Sequence, residues 1–77
     1  MKKVIIYTTS WCPFCEMTKE FLKQKNIPYE EKNVEFDMQA REEMVQKSGQ
    51  LGVPVIDIEG KIIVGFSPQE IEEALAE

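Results

Sequence analysis

The chain has 77 residues, 43% of them apolar and 30% charged, an ordinary globular composition that excludes a disordered chain. A chain this short makes one domain, residues 1–77, that buries only about 60% of the surface its unfolded form exposes, which excludes a deep enclosed site. Net charge is −5, with nine acidic groups against three basic ones over residues 37–77; no basic stripe neutralises phosphates, which argues against a nucleic-acid partner.

The opening Met1-Lys2-Lys3-Val4-Ile5-Ile6-Tyr7 holds too short an apolar run for a signal-peptide core or a membrane span, so a cytoplasmic address without membrane contact is expected. Residues 3–8 are β-branched and aromatic and read as a buried strand that delivers the chain to Cys12. From Pro13 to about Lys25 the period turns helical. Phe14, Met17, Thr18, Phe21 and Leu22 share one side and Glu16, Lys19, Glu20 and Lys23 face water, with Asn26 as the stop. Residues 27–34 read as a strand placed at a sheet edge, because Pro28 cannot donate to a ladder.

Asp37 suits the N-cap of a helix over 38–47, with Met38, Arg41, Met44 and Val45 in the packing register and Gly49 as its left-handed stop. Residues 53–58 and 61–64 flank Glu59-Gly60, a two-residue turn, and predict an antiparallel hairpin. Ser67-Pro68-Gln69-Glu70 reads as a capping box, with Ser67 as N-cap and Pro68 at the first helical position. The order β-α-β-α-β-β-α implies an α/β fold, with a four-stranded mixed sheet flanked by three helices.

Cys12 and Cys15 admit three readings. Zinc normally takes four Cys or His ligands, and the chain has two cysteines and no histidine, which leaves only a site shared between two chains. A structural staple would close so short a loop that it adds only about 2 kcal/mol. Redox chemistry accounts for the residue types best. Cys12 falls at the N-cap of the first helix, where a sulfur anion would face the N–H groups of Phe14 and Cys15 and the positive end of the dipole. Its pKa should fall, making it the attacking sulfur, while Cys15, a turn inside, stays protonated until it resolves the mixed disulfide. Pro13 has no N–H to lose at the first helical position. Trp11 is expected at the docking surface; Phe14 can serve docking or core.

Trp11-Cys12-Pro13-Phe14-Cys15 after a strand, Val53-Pro54 opening a later one and Gly65-Phe66 ahead of a final capped helix together resemble the glutaredoxin branch of the thioredoxin fold. The resemblance spans essentially the whole chain. Trp11 is more like thioredoxin, Pro13-Phe14 more like glutaredoxin. It implies a cis bond before Pro54 and a backbone at Val53 that pairs with an extended peptide or glutathione. It also implies two cationic positions that here hold Thr9 and Leu51, and an anion site at the last helix, where Pro68 removes one N–H donor. The Gly65-Phe66-Ser67-Pro68 stretch is similar to glutaredoxin-like redoxins that serve ribonucleotide reductase and are recharged by thioredoxin reductase.

The resulting expectation is a monomeric protein disulfide oxidoreductase with Cys12 and Cys15 as catalytic residues. Trp11, Pro13, Phe14, Val53, Pro54, Gly65, Phe66 and Ser67 form its substrate-binding rim, with no cofactor beyond the redox-active disulfide and thioredoxin reductase as reductant. The alternatives are a glutathione-dependent glutaredoxin, a carrier that holds a metal or iron-sulfur cluster through Cys12 across a dimer, and a docking module whose cysteines only staple.

Overall fold

A computed structural model describes residues 2–76. Along the chain run β1 (Val4–Thr8), α1 (Pro13–Gln24), β2 (Glu30–Asn33), α2 (Met38–Ser48), β3 (Val55–Ile58), β4 (Lys61–Val64) and α3 (Pro68–Ala76), in the order that the sequence predicts. The strands form one mixed sheet in the order β2-β1-β3-β4. β1 pairs parallel with β2 and antiparallel with β3, and β3 pairs antiparallel with β4. β2 is thus an edge strand, as Pro28 led one to expect.

Side chains that alternate along the strands build two apolar layers. Val4, Ile6, Ile56, Ile58 and Ile63 meet Leu22 of α1 with Ile71 and Ala74 of α3 on one face. Tyr7, Val34 and Val55 meet Ala40 and Met44 of α2 on the other. The sheet is therefore sandwiched, with α1 and α3 on one side and α2 alone on the other. The β3–β4 turn places Glu59 at φ 50° and Gly60 at φ 93°, the two positive dihedrals of a type I′ hairpin, whose twist matches that of its strands.

Some boundaries and faces differ from the sequence reading. β2 starts at Glu30 rather than residue 27, because the Ile27 N–H folds back to the Leu22 carbonyl (2.9 Å) to close the end of α1. β3 starts at Val55, which leaves Val53 and Pro54 as a segment ahead of the ladder. In α1 the buried residues are Cys15, Thr18 and Leu22, while Phe14 and Met17 are exposed. In α2, Ala40 and Met44 are buried, whereas Met38 and Arg41, expected to pack, lie in solvent. Asp37 caps α2 as expected, accepting the Ala40 N–H at 3.0 Å, and Gly49 ends it at φ 75°. At the start of α3 the Ser67 carbonyl accepts the Ile71 N–H at 3.0 Å, the first bond of the helix, but the reciprocal Ser67–Glu70 side-chain pair expected of a capping box does not form.

Candidate active site

The registers bring four loops to one end of the sheet. Tyr7 lies opposite Val55, so Val53-Pro54 arrive beside the point where β1 runs out toward Cys12. Val64 lies opposite Val55, so Gly65 faces Pro54, and its N–H donates to the Pro54 carbonyl at 2.9 Å. Thr8 lies opposite Asn33, which sets residues 33–36 against residues 9–11. There the Ser10 N–H donates to Glu35 Oε1 (3.1 Å) and Asn33 Nδ2 to Ser10 Oγ (3.2 Å).

Cys12 occupies the N-cap of α1 with extended dihedrals (φ −94°, ψ 108°), and its sulfur accepts the Cys15 N–H at 3.1 Å. An anion on this sulfur meets an otherwise unpaired amide at the positive end of a 12-residue helix. The expected second donor, the Phe14 N–H, makes no such bond. Pro13 takes the first helical position, where the missing N–H has no partner to lose.

Both cysteines are free thiols. Cys12 is only 5% exposed and Cys15 0%, so only an edge of Cys12 meets solvent. Burial pushes the Cys15 thiol up to about 12, and its hydrogen bond to the Cys12 sulfur adds to the effect. The Thr9 N–H and the Lys19 charge oppose this rise more weakly. At neutral pH Cys15 therefore keeps its proton.

Trp11 (70% exposed) and Phe14 (58%) project into solvent beside this sulfur. Phe66 instead rests on α1, with its ring edge-on to Phe21 at a centroid distance of 6.0 Å. Ser67, Gly65 and Val53 are half-buried, and Pro54 is buried. The Val53-Pro54 bond is cis, as the resemblance implied. Neither the N–H nor the carbonyl of Val53 is paired among the described residues, so this backbone is open to an added strand.

Three lysines, Lys19, Lys23 and Lys47, are candidates to replace the missing cations; Lys19 and Lys47 are engaged elsewhere, whereas Lys23 joins none of the ion pairs among the described residues. Lys19 pairs with Glu16 (2.8 Å) and Glu31 (3.1 Å). Lys47 pairs with Asp57 (2.7 Å) and donates to the Tyr7 hydroxyl (2.8 Å). Burial alone would lower the Lys47 pKa, but Asp57 and Tyr7 outweigh it and raise it above the ordinary lysine range.

Two groups of supporting residues escaped the sequence reading. Asn33 accepts the Glu35 N–H at 2.8 Å, an Asx turn whose Asn-x-Glu spacing was open to recognition. Gln50 clamps Gly52 at both polar atoms, accepting its N–H at 2.6 Å and donating to its carbonyl at 3.0 Å. Nothing in the local pattern marked Gln50 for that role.

Comparison with known proteins places this geometry. The glutaredoxin family profile matches residues 4–63. A glutaredoxin-like 8.6 kDa protein of a rubredoxin operon in Clostridium pasteurianum is 54% identical over 70 residues, covering 91% of this chain and 93% of its own. Among solved structures, a mutant of the thioredoxin-like protein BC3987 superposes with a TM-score of 0.91 at 34% identity, over 99% of this chain and 97% of that one. The glutaredoxin-like protein NrdH-redoxin of Escherichia coli, whose activity profile is described as thioredoxin-like, superposes at 0.81 with 27% identity over 92% of each chain. With a family profile reaching from β1 through most of β4 and a dithiol at the first helix start, the chain belongs to the glutaredoxin family and is a redox protein of the thioredoxin fold.

Proposed function

We propose that the protein reduces protein disulfides, with Cys12 as nucleophile, Cys15 as resolving thiol and a thioredoxin reductase as the source of electrons. The observation that carries the dithiol chemistry is the pairing of a helix-capping Cys12 sulfur with a Cys15 thiol held up to about 12. The Cys12 sulfur, as its anion, attacks one sulfur of the substrate disulfide; a Cys12–substrate disulfide forms and the other substrate sulfur leaves and takes a proton. Cys15 then gives up its proton and attacks Cys12, forming the Cys12–Cys15 disulfide and releasing the second substrate thiol. Two electrons pass from the protein to the substrate. A reductase dithiol returns them, and no other cofactor enters the cycle.

Trp11, Phe14, Val53 and Phe66 form the docking rim, with Pro54, Gly65 and Ser67 shaping its floor. Thioredoxin reductase is favoured over glutathione because the tripeptide's two carboxylates need cations. Thr9 and Leu51 carry none, Lys19 and Lys47 are bound to acidic partners, and Pro68 removes a donor at α3. Losing two charge-assisted contacts of about 1.5–3 kcal/mol each weakens binding roughly a hundredfold or more. The similarity to NrdH-redoxin supports the same choice. The protein works as a monomer in the reducing cytoplasm on this reading.

The test is steady-state reduction of one disulfide substrate by thioredoxin reductase and, separately, by glutathione with its reductase. Turnover with the first and little with the second is expected; preference for glutathione overturns the reductant. Cys12→Ser should abolish turnover, and Cys15→Ser should trap mixed disulfides visible by mass spectrometry. Full activity of Cys12→Ser would sink the dithiol mechanism.

A further inference from the structure

In the resolving step Cys15 must carry a negative charge as it attacks Cys12, yet it is 0% exposed. A charge on a buried sulfur is costly unless a donor or an opposite charge meets it. β1 ends in the uncharged Thr8, and the next residue offers the Thr9 N–H to the Cys15 sulfur. The layer that α1 and α3 share with the sheet is apolar. Apart from Cys12 itself, the charge that bears on Cys15 is that of Lys19.

Lys19 follows Cys15 by four residues in α1, which sets the two on one helix face a single turn apart, and helical side chains lean back toward the N-terminus. Its contacts show that it does so. The ammonium pairs with Glu16 at 2.8 Å, the residue next to Cys15, and with Glu31 of β2 at 3.1 Å. Glu31 also accepts the Thr8 hydroxyl at 2.7 Å, one residue from the Thr9 amide that meets Cys15. The ammonium is therefore held at the level of the resolving sulfur. The Lys19 side chain is 16% exposed, against 67% for Glu16 and 36% for Glu31. Water screens the two carboxylates more than the ammonium, so the field directed inward is positive. The hydrogen bond from Lys19 to Glu16, foremost, raises the lysine above its ordinary range against the effect of burial, and it stays charged at neutral pH.

We propose that Lys19 stabilises the Cys15 thiolate in the resolving step, with Glu16 and Glu31 holding its ammonium in place. The inference rests on the dithiol reading and adds a residue to its second half. The Cys15 proton passes to water, the Cys12–Cys15 bond forms as the bond from Cys12 to substrate breaks, and the departing thiolate takes up a proton. Lys19 exchanges no proton and acts by charge alone. Cys12 lies seven residues before Lys19, about 10 Å along the helix axis, and draws on the amides at the helix start instead. Separate groups thus serve the two sulfurs.

The experiment mixes the reduced full chain with excess dithiodipyridine, an uncharged disulfide that yields a chromophoric thiopyridone at each step. Attack by Cys12 releases the first in a phase whose rate scales with probe concentration, and attack by Cys15 on Cys12 releases the second in a phase whose rate does not. Lys19→Met keeps an apolar stem and removes the charge. Without that charge the thiol ionises less readily, so the second phase should slow about tenfold at pH 7 and its rate profile should move about one pH unit upward. The first phase should stay within about twofold, which also reports that the variant is folded. Lys19→Arg should restore the second phase. A Lys19→Met chain that melts at lower temperature but keeps the wild-type second phase and its profile would make Lys19 an anchor between α1 and β2 and overturn the inference alone. Equal slowing of both phases would do the same. A wild-type chain that releases a single thiopyridone overturns the resolving role of Cys15, and with it both the proposed function and this inference.

Discussion

Cys15 is the residue whose chemistry depends most on its surroundings. A thiol whose ordinary value is 9.0 is pushed up to about 12 by burial and by the neighbouring sulfur. Because the folded value is raised, the stability linked to it is fully present below pH 9 and is lost as pH climbs toward 12. Denaturant titrations of the reduced protein and of Cys15→Ser, which has no thiol there to titrate, should therefore converge or cross as pH rises above about 9. A stability difference constant from pH 7 to 11 would contradict the assignment. The same burial protects the thiol: iodoacetamide at neutral pH should modify Cys12 well before Cys15, as read by peptide mass mapping. Thr9 Oγ1 is the one buried side-chain polar atom without a partner among the described residues, and the structure gives no physical account of it.

Among the elements, α2 is secured by its ends and by a polar network. Gly49 stops it at φ 75° with no atom within 4 Å of where a Cβ would stand, so Gly49→Ala meets only the left-handed backbone cost, about 1–2 kcal/mol. Thermal or denaturant unfolding should show a loss of that size. On the inner side of α2, Glu43 accepts hydrogen bonds from Lys32 (2.8 Å) and from the Tyr7 hydroxyl, and Lys47 bridges Tyr7 to Asp57. Lys32 first and Tyr7 second hold the Glu43 carboxyl down to about 2. A depressed carboxylate contributes stability above its unfolded value, 4.5, and loses it as pH falls toward 2. The group is partly solvated, so the effect is modest. Unfolding of Glu43→Gln between pH 5 and 2.5 should show a shallower loss of stability than wild type, and parallel curves would refute the linkage.

For the whole molecule, the margin is small. Roughly 0.05–0.15 kcal/mol per residue gives a domain of this length about 4–12 kcal/mol, while truncating a fully buried leucine costs about 2–5. Leu22 is 0% exposed at the centre of the α1–α3 layer. Leu22→Ala should therefore lower the melting temperature by tens of degrees or leave the chain partly unfolded at 37 °C, with activity lost in proportion to the unfolded fraction seen by circular dichroism. Activity retained in full by a chain that no longer melts cooperatively would separate the site from the fold, against this reading.

Features that depend on neighbours in sequence were legible before the fold was known. The strand before Cys12, its N-cap position, the Asp37 cap, the Gly49 stop and the Glu59-Gly60 hairpin all follow from dihedral preferences and hydrogen bonds within a few residues. What the chain could not declare locally is which face of α2 meets the sheet. Met38, Ala40, Met44 and Val45 leave several stripes of nearly equal apolarity, and the shape of the Tyr7–Val55 surface selects Ala40 and Met44. The same holds for the site. Residues 9–12, 33–36, 53–54 and 65–67 meet because strand order and register align positions tens of residues apart. The burial that raises Cys15, the acidic partners that occupy Lys19 and Lys47, and the clamp of Gln50 on Gly52 exist only in that assembly. A sequence carries the local hydrogen-bonding rules of each element, whereas desolvation and ion pairing are set by which distant segments the sheet brings within a few ångströms of one another.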